Sequence, residues 1–139
     1  MTDLIQRILP TVQKPARYTG GEFNEVKKDL QDVRVRVAFC FPDTYEIGMS
    51  NLGMRILYGV MNEMDGVWCE RVFAPWGDMQ QAMEEHNLPL WALESQSPVK
   101  DFDMVAFTIG YARRQYRKIW PILLRASMRR VTRARCNPV

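Results

Sequence analysis

Apolar and polar positions along this chain switch between the period of a strand and the period of a helix. "VRVRVAFCF" (33–41) opens with strict alternation and closes as unbroken apolar sequence. A strand that enters from solvent and finishes in the middle of a sheet has that pattern. Pro42 stops it. From Leu52 to Met64 the apolar residues Leu52, Ile56, Leu57, Val60, Met61 and Met64 recur at helical spacing, while Arg55, Asn62 and Glu63 fall elsewhere. This predicts an amphipathic helix packed through that stripe, started by Ser50 or Asn51 as N-cap and ended near Gly66.

"VWCERVF" (67–73) reads as a second strand, and "APWG" turns the chain. Asp78 with Gln81 resembles a capping box and opens a helix whose apolar face is Met79, Ala82 and Met83. "LPLWAL" (88–93) has the length of an edge strand, and "DMVAFTIG" (103–110) is again a fully apolar strand. Strands alternating with helices at this spacing predict βαβ units. The fold class is therefore α/β, a Rossmann-like or flavodoxin-like open parallel sheet with helices on both faces. Ahead of it, residues 1–32 read as a lead-in segment rather than core. "DLIQRIL" forms a short helix before Pro10, and "KPARYTGGEFNE" is an exposed connection.

Length and composition set limits. At 139 residues the chain is one domain's worth, and 47% hydrophobic residues suffice for a core. No apolar run reaches the roughly 18 residues of a membrane span, and "MTDLIQRILPTVQK" lacks signal-peptide design. The three cysteines, Cys40, Cys69 and Cys136, are too far apart for a disulfide framework or a metal cluster. A cytoplasmic location and no membrane partner are the expectation.

Charge changes the picture more. The net +3 averages a segment 1–111, with all 16 acids and a net −6, and a segment 112–139, with nine basic residues and no acid. After Tyr111 the strand–helix alternation is not continued, and Pro121 interrupts a helix through "RKIWPILLRA". The sheet is thus expected to be incomplete on its C-terminal side, in a partial domain 33–111 followed by a basic tail 112–139. Three readings of that tail compete: a segment that binds RNA or another polyanion, a solvated tail with no partner, and a coding frame shifted after Tyr111. The last fits best the simultaneous loss of acids and periodicity.

The chemistry candidates cluster in "FPDTYEIGMSNLG" (41–53). A parallel strand that feeds a helix through such a loop sets backbone N–H groups beside the C-terminal strand ends, where doubly wound sheets take ligands. Pro42, Asp43, Glu46, Gly48, Ser50, Asn51 and Gly53 are the candidate binding residues, the glycines allowing close approach of a ligand. Trp76, after the second strand, either walls the same crevice or caps the core beneath it. Met54 and Arg55 stand where a P-loop needs Lys and Ser or Thr, and no G-x-G-x-x-G is present. A plain strand–turn–helix connection remains the competing account. Asp43 and Glu46 read equally as ligand-ordering groups or as local turn and cap groups. His86, the sole histidine, reads as packed or helix-terminal, and the methionines as core.

Together "LPTVQKPARYTGGEFNEV", "VRVAFCFPDTYEIGMSNLGMRILYGVMN", "ERVFAPWGDMQQAM" and "PLWALESQSPVKDFDMVAFTIGY" resemble the N-terminal region of a family of bacterial radical S-adenosylmethionine proteins with a cobalamin-binding-like domain. The resemblance covers about residues 9–111. It implies a Rossmann-like front domain, followed in the full-length family by a (β/α) barrel whose C-x-x-x-C-x-x-C motif holds a [4Fe–4S] cluster that cleaves S-adenosylmethionine. That motif is absent from these 139 residues, so no catalytic residue is assigned and no radical chemistry is expected from this chain alone. The partner implied is the barrel domain, and the cofactor implied is cobalamin. The D-x-H-x-x-G motif that supplies a lower cobalt ligand is missing, since Asp43-Thr44-Tyr45-Glu46-Ile47-Gly48 places tyrosine where histidine would stand. The alternatives are a stand-alone module with a basic RNA-binding tail, and a flavodoxin-like domain that binds another nucleotide or nothing.

Overall fold

A computed structural model describes residues 2–108. The element order is α1 (Thr2–Ile8), β1 (Val35–Phe41), α2 (Tyr45–Ser50), α3 (Leu52–Glu63), β2 (Val67–Phe73), α4 (Gly77–Glu85) and β3 (Met104–Phe107), with short 3-10 turns at Leu9–Thr11, Pro15–Tyr18 and Val99–Asp101. The three strands form one sheet in the order β2-β1-β3. Both pairings are parallel, with Val37 opposite Cys69 on one side and Met104 on the other. This is the α/β, Rossmann- or flavodoxin-like class that the alternation of periods predicts. No described helix is long and apolar enough to cross a membrane.

Two apolar layers cover the sheet. On one face Ala38, Cys40 and Val72 pack with Met79 and Met83 of α4, with Ile5 and Ile8 of α1, and with Val12 and Tyr18. On the other face Val37, Phe39 and Cys69 pack with Met54 and Tyr58 of α3. The lead-in segment is therefore core as well as approach, since Ile5 is fully buried. A seven-residue helix is marginal alone; burial of Ile5 and Ile8 against the sheet is what holds it.

The outer edge of β2 is covered without a fourth strand. "LPLWAL" does not form one; only an isolated bridge joins Trp91 to Pro98. Lys28 Nζ donates to Val67 O at 2.6 Å. The Asn62 amide donates to Cys69 O at 3.0 Å and accepts from Cys69 N at 2.9 Å. Leu93 N donates to Arg71 O at 2.8 Å, and Glu94 Oε2 accepts from Arg71 N at 2.7 Å. Side chains and the Leu93 backbone amide thus engage the polar groups that an exposed edge would otherwise offer to another chain.

Beneath that edge lies a buried ionic cluster. The Arg71 guanidinium donates to Glu94 at 2.6 Å and to Glu22 at 2.8 Å, and sits 4.7 Å from the Tyr58 ring centroid. Burial opposes its charge, yet the two carboxylates hold it protonated well above its usual range. Burial pushes the Glu94 carboxyl up to about 7, against the pull of Arg71. A second pair, Arg36 and Glu70 at 2.6 Å, sits among Trp68, Phe102 and Ser95.

Helix α3 is turned the other way from the sequence expectation. Met54, Tyr58 and Asn62 face the sheet, while Leu52, Ile56, Leu57, Val60 and Met64 are each about half exposed or more. The helix is apolar around most of its circumference, so periodicity could not choose a face. The polar anchors chose it: Asn62 bonds the edge of β2, and the Tyr58 hydroxyl accepts from Val26 N at 2.8 Å. Among the remaining expectations, Asn51 is the N-cap of α3 and accepts from Met54 N at 2.9 Å. The capping box of α4 is not formed. Trp76 occupies the N-cap position, and Asp78, already inside the first turn, accepts from Gln13 N at 2.7 Å. His86 is the exposed C-cap of α4. The end of the strand expected over 103–110, and the whole of the basic tail, lie outside the described residues.

The cluster sets a stability prediction. Arg71→Met leaves the buried Glu94 and the partly buried Glu22 without their cation and is expected to cost about 3–5 kcal/mol, read as a lowered urea midpoint. A loss within about 0.5 kcal/mol, the size of a surface change, would show that the cluster is solvated.

Candidate functional site at the C-terminal edge of the sheet

The order β2-β1-β3 places the topological switch between β1 and β3, since the chain leaves β1 toward β2 and returns to the other side of β1. Crevices of open α/β sheets form at that point, beyond the carboxyl ends of the strands. Pro42, Asp43 and Thr44 stand there at the end of β1, with Thr108 N donating to Cys40 O at 3.2 Å beside them. The expected loop is in part a helix. Residues Tyr45–Ser50 form α2, and a kink at Asn51 (φ −78°, ψ 112°) separates it from α3.

The predicted binding residues are brought to one edge, and most of their polar atoms are engaged there. Pro42 is buried. Asp43 Oδ1 accepts from Thr44 N at 2.7 Å, while its carbonyl accepts from Ala74 N at 2.8 Å and so ties β1 to the end of β2. The Ser50 hydroxyl donates to Ile47 O at 2.8 Å. Asn51 is occupied as the cap. Glu46 is exposed, paired with Arg17 at 2.8 Å and Lys14 at 3.4 Å. The bond from Arg17 holds its carboxyl below the usual range.

The two glycines differ. Gly48 is buried because Phe73 fills the space its side chain would take. A Cβ there would lie 2.6 Å from Phe73 Cδ1 and 3.2 Å from Phe41 Cδ1. Gly53 is exposed, and a Cβ there would meet only Asn51 Oδ1, at 3.3 Å. Glycine at 48 therefore serves the packing of α2 on β2. Tyr45, in the place of the absent histidine, packs edge-on against Phe73 with centroids 5.4 Å apart. Burial first, then its hydrogen bond to Glu22, pushes its phenol up to about 12. A corrinoid seated on Gly48 with a ligand from position 45 does not fit this arrangement.

Trp76 is separate from the switch point, at the end of β2. The residue is 46% exposed, with the Arg17 guanidinium 5.4 Å from its ring centroid. Its backbone N–H donates to the Tyr18 hydroxyl at 3.1 Å. Behind it a cavity of about 20 Å³, lined by Arg17, Tyr18, Phe73, Pro75 and Trp91 among others, has room for about one water. Trp76, Arg17, Glu46 and Lys14 thus make an outward rim of aromatic and charged groups. Sequence reasoning found Trp76 and Glu46 but missed Arg17 and Tyr18, which it left in an exposed connection. The signal available was "RYTGGE" itself: glycines 20 and 21, at φ +65° and +85°, turn the chain so that Tyr18 reaches the core. Among the described residues no group of three His, Cys, Asp or Glu is placed to hold a metal ion.

The glycine contrast is directly testable. Gly48→Ala is expected to destabilise by about 1–3 kcal/mol through overpacking against Phe73. Gly53→Ala, in an exposed first turn of α3, is expected to be neutral or to stabilise by up to about 1 kcal/mol. Equal effects in thermal unfolding would show that position 48 has room.

Comparison with known proteins gives one match. The family profile described as "Radical SAM proteins, N-terminal" aligns with residues 53–138. No curated protein and no solved structure matches the chain. The aligned span begins in α3, takes in β2, α4 and β3, and continues through the basic segment. It covers more than half of the 139 residues. The chain belongs to the family of N-terminal regions of radical S-adenosylmethionine proteins.

Proposed function

We propose that this chain is a non-catalytic front domain whose C-terminal sheet edge is a docking platform for the cluster-bearing barrel of a radical S-adenosylmethionine protein. The observation that carries this reading is the closed state of the β1–α3 connection. Asp43, Ser50 and Asn51 spend hydrogen-bonding groups locally, Gly48 is sealed by Phe73, and the Tyr45 phenol is bonded to Glu22. Outward at that edge stand a half-exposed tryptophan stacked with an arginine, beside an ion pair, and the half-exposed Ile47. Tryptophan and arginine are the residue types on which protein interfaces concentrate their energy.

On this reading the chain itself holds neither cobalamin nor the cluster, and radical chemistry belongs to the barrel. Pro42, Asp43, Glu46, Gly48, Ser50, Asn51 and Gly53 shape and stiffen the platform, and Trp76 is its anchor. Cys40 and Cys69 are buried thiols, and burial pushes both up and leaves them unreactive.

Titration of the chain with aquocobalamin tests this reading. The expected result is an unchanged corrin absorption spectrum and an unchanged unfolding midpoint. A spectral shift together with a raised midpoint, the signature of a ligand bound to the native state, would overturn it and return the loop residues to a cofactor role.

A further inference from the structure

We infer that the outward face of α3 pairs with the same face of a second copy of this chain, the two helices running antiparallel about a two-fold axis near Gly59. Leu52, Ile56, Val60 and Met64 follow one another at four-residue steps along the exposed side of α3, with Leu57 beside them. Their exposures run from 47% to 67%. A helix apolar on nearly every side is built to be covered on every side, and a contiguous apolar surface of this kind marks a contact site.

The row beside that stripe selects the occupant. Arg55, Gly59 and Glu63 also lie four residues apart, so they share one ridge of the helix, next to the ridge of Leu52, Ile56 and Val60. Both charged residues are exposed, and neither makes an ion pair among the described residues. In a two-fold interface residue i meets residue j, and j meets i. For antiparallel helices that symmetry brings the same flank of each together. Centred on Gly59, it sets each Arg55 opposite the Glu63 of the second copy, two attractive pairs in one contact. The apolar ridge pairs about nearly the same centre, Ile56 with Val60 and Leu52 with Met64. A parallel pair would instead set Arg55 against Arg55.

Two further features of α3 fit a reversed neighbour. A Cβ at Gly59 would meet nothing within 4 Å, so the packing of its own chain does not require glycine there, and glycine weakens a helix interior. At a helix crossing it lets two backbones approach closely. The charges of α3 also stand against its own dipole. The helix has no acid in its first turn and no base in its last; Arg55 lies near its N-terminal end, while Glu63 and Asp65 stand at its C-terminal end. Lys28 donates to Asn62 O at 2.6 Å and to Met64 O at 3.4 Å, so it serves the backbone there and not Glu63. An antiparallel second α3 places its negative C-terminal end beside Arg55 and its positive N-terminal end beside Glu63. The pairing uses none of the Trp76 rim.

Sedimentation equilibrium of the full 139-residue chain tests the pairing. The expected result is a monomer–dimer equilibrium across the micromolar range. Arg55→Glu and Glu63→Arg, each made alone, turn both pairs repulsive and are expected to raise the dimer dissociation constant roughly tenfold. An equimolar mixture of the two variants is expected to recover the parent affinity, because each supplies the charge that the other lacks. Val60→Glu is expected to leave only monomer, with circular dichroism checking that the sheet is retained. Arg55 and Glu63 are both exposed, so the charge variants keep the test valid if Val60→Glu fails to fold. A chain that stays monomeric at every concentration would overturn the inference and leave the face to a different protein or to another part of this one. A dimer that survives Val60→Glu would overturn it too, since it uses another surface. So would charge reversals without effect, or a mixture that stays as weak as the single variants.

Discussion

The structure depends on how the outer edge of β2 is closed. A strand at the end of a three-stranded sheet offers alternating N–H and C=O groups to whatever approaches, and here most are taken by groups from three separate parts of the chain. Lys28 arrives from the lead-in segment, Asn62 from the end of α3, and Leu93 and Glu94 from the segment before β3. Arg71 then joins two of these parts through Glu22 and Glu94. The cluster holds two carboxylates for one guanidinium, so its geometry is demanding. A buried pair of this kind adds little net stability, but it is costly to break and fixes one arrangement of the loops.

That closure connects the fold to the platform. Glu22 belongs to the same turn as Tyr18, and Tyr18 holds the backbone of Trp76. Tyr45 reaches the same carboxylate of Glu22 from α2. The rim that carries Trp76, Arg17 and Glu46 is therefore fixed from below by the lead-in turn and the buried cluster. A rigid rim of this kind is pre-organised for docking, with less ordering cost at association.

The sequence was legible where local pattern and tertiary demand agree. β2 runs from Val67 to Phe73, the bounds expected of "VWCERVF", and Asn51 caps α3 as its chemistry predicts. It was not legible where long-range polar partners decide. The face of α3 follows Asn62 and Tyr58, whose partners lie on β2 and in the lead-in segment, so its apolar stripe gave the opposite orientation. "LPLWAL" has strand composition, but Leu93 and Glu94 serve the edge of β2 by one backbone and one side-chain contact instead of a ladder. The packing role of Gly48 was not legible because nothing local reveals Phe73, twenty-five positions away.

Native-state hydrogen exchange is the most direct measurement of the central claim. If side chains and the 88–97 segment close the edge of β2, the amides of Cys69, Arg71 and Leu93 exchange as slowly as those of the central strand β1, through global unfolding. Exchange of Leu93 and Arg71 at the rate of an exposed turn, with β1 still protected, would contradict it: the edge would then be open, and the buried cluster would not be the constraint on which the lead-in turn and the Trp76 rim depend.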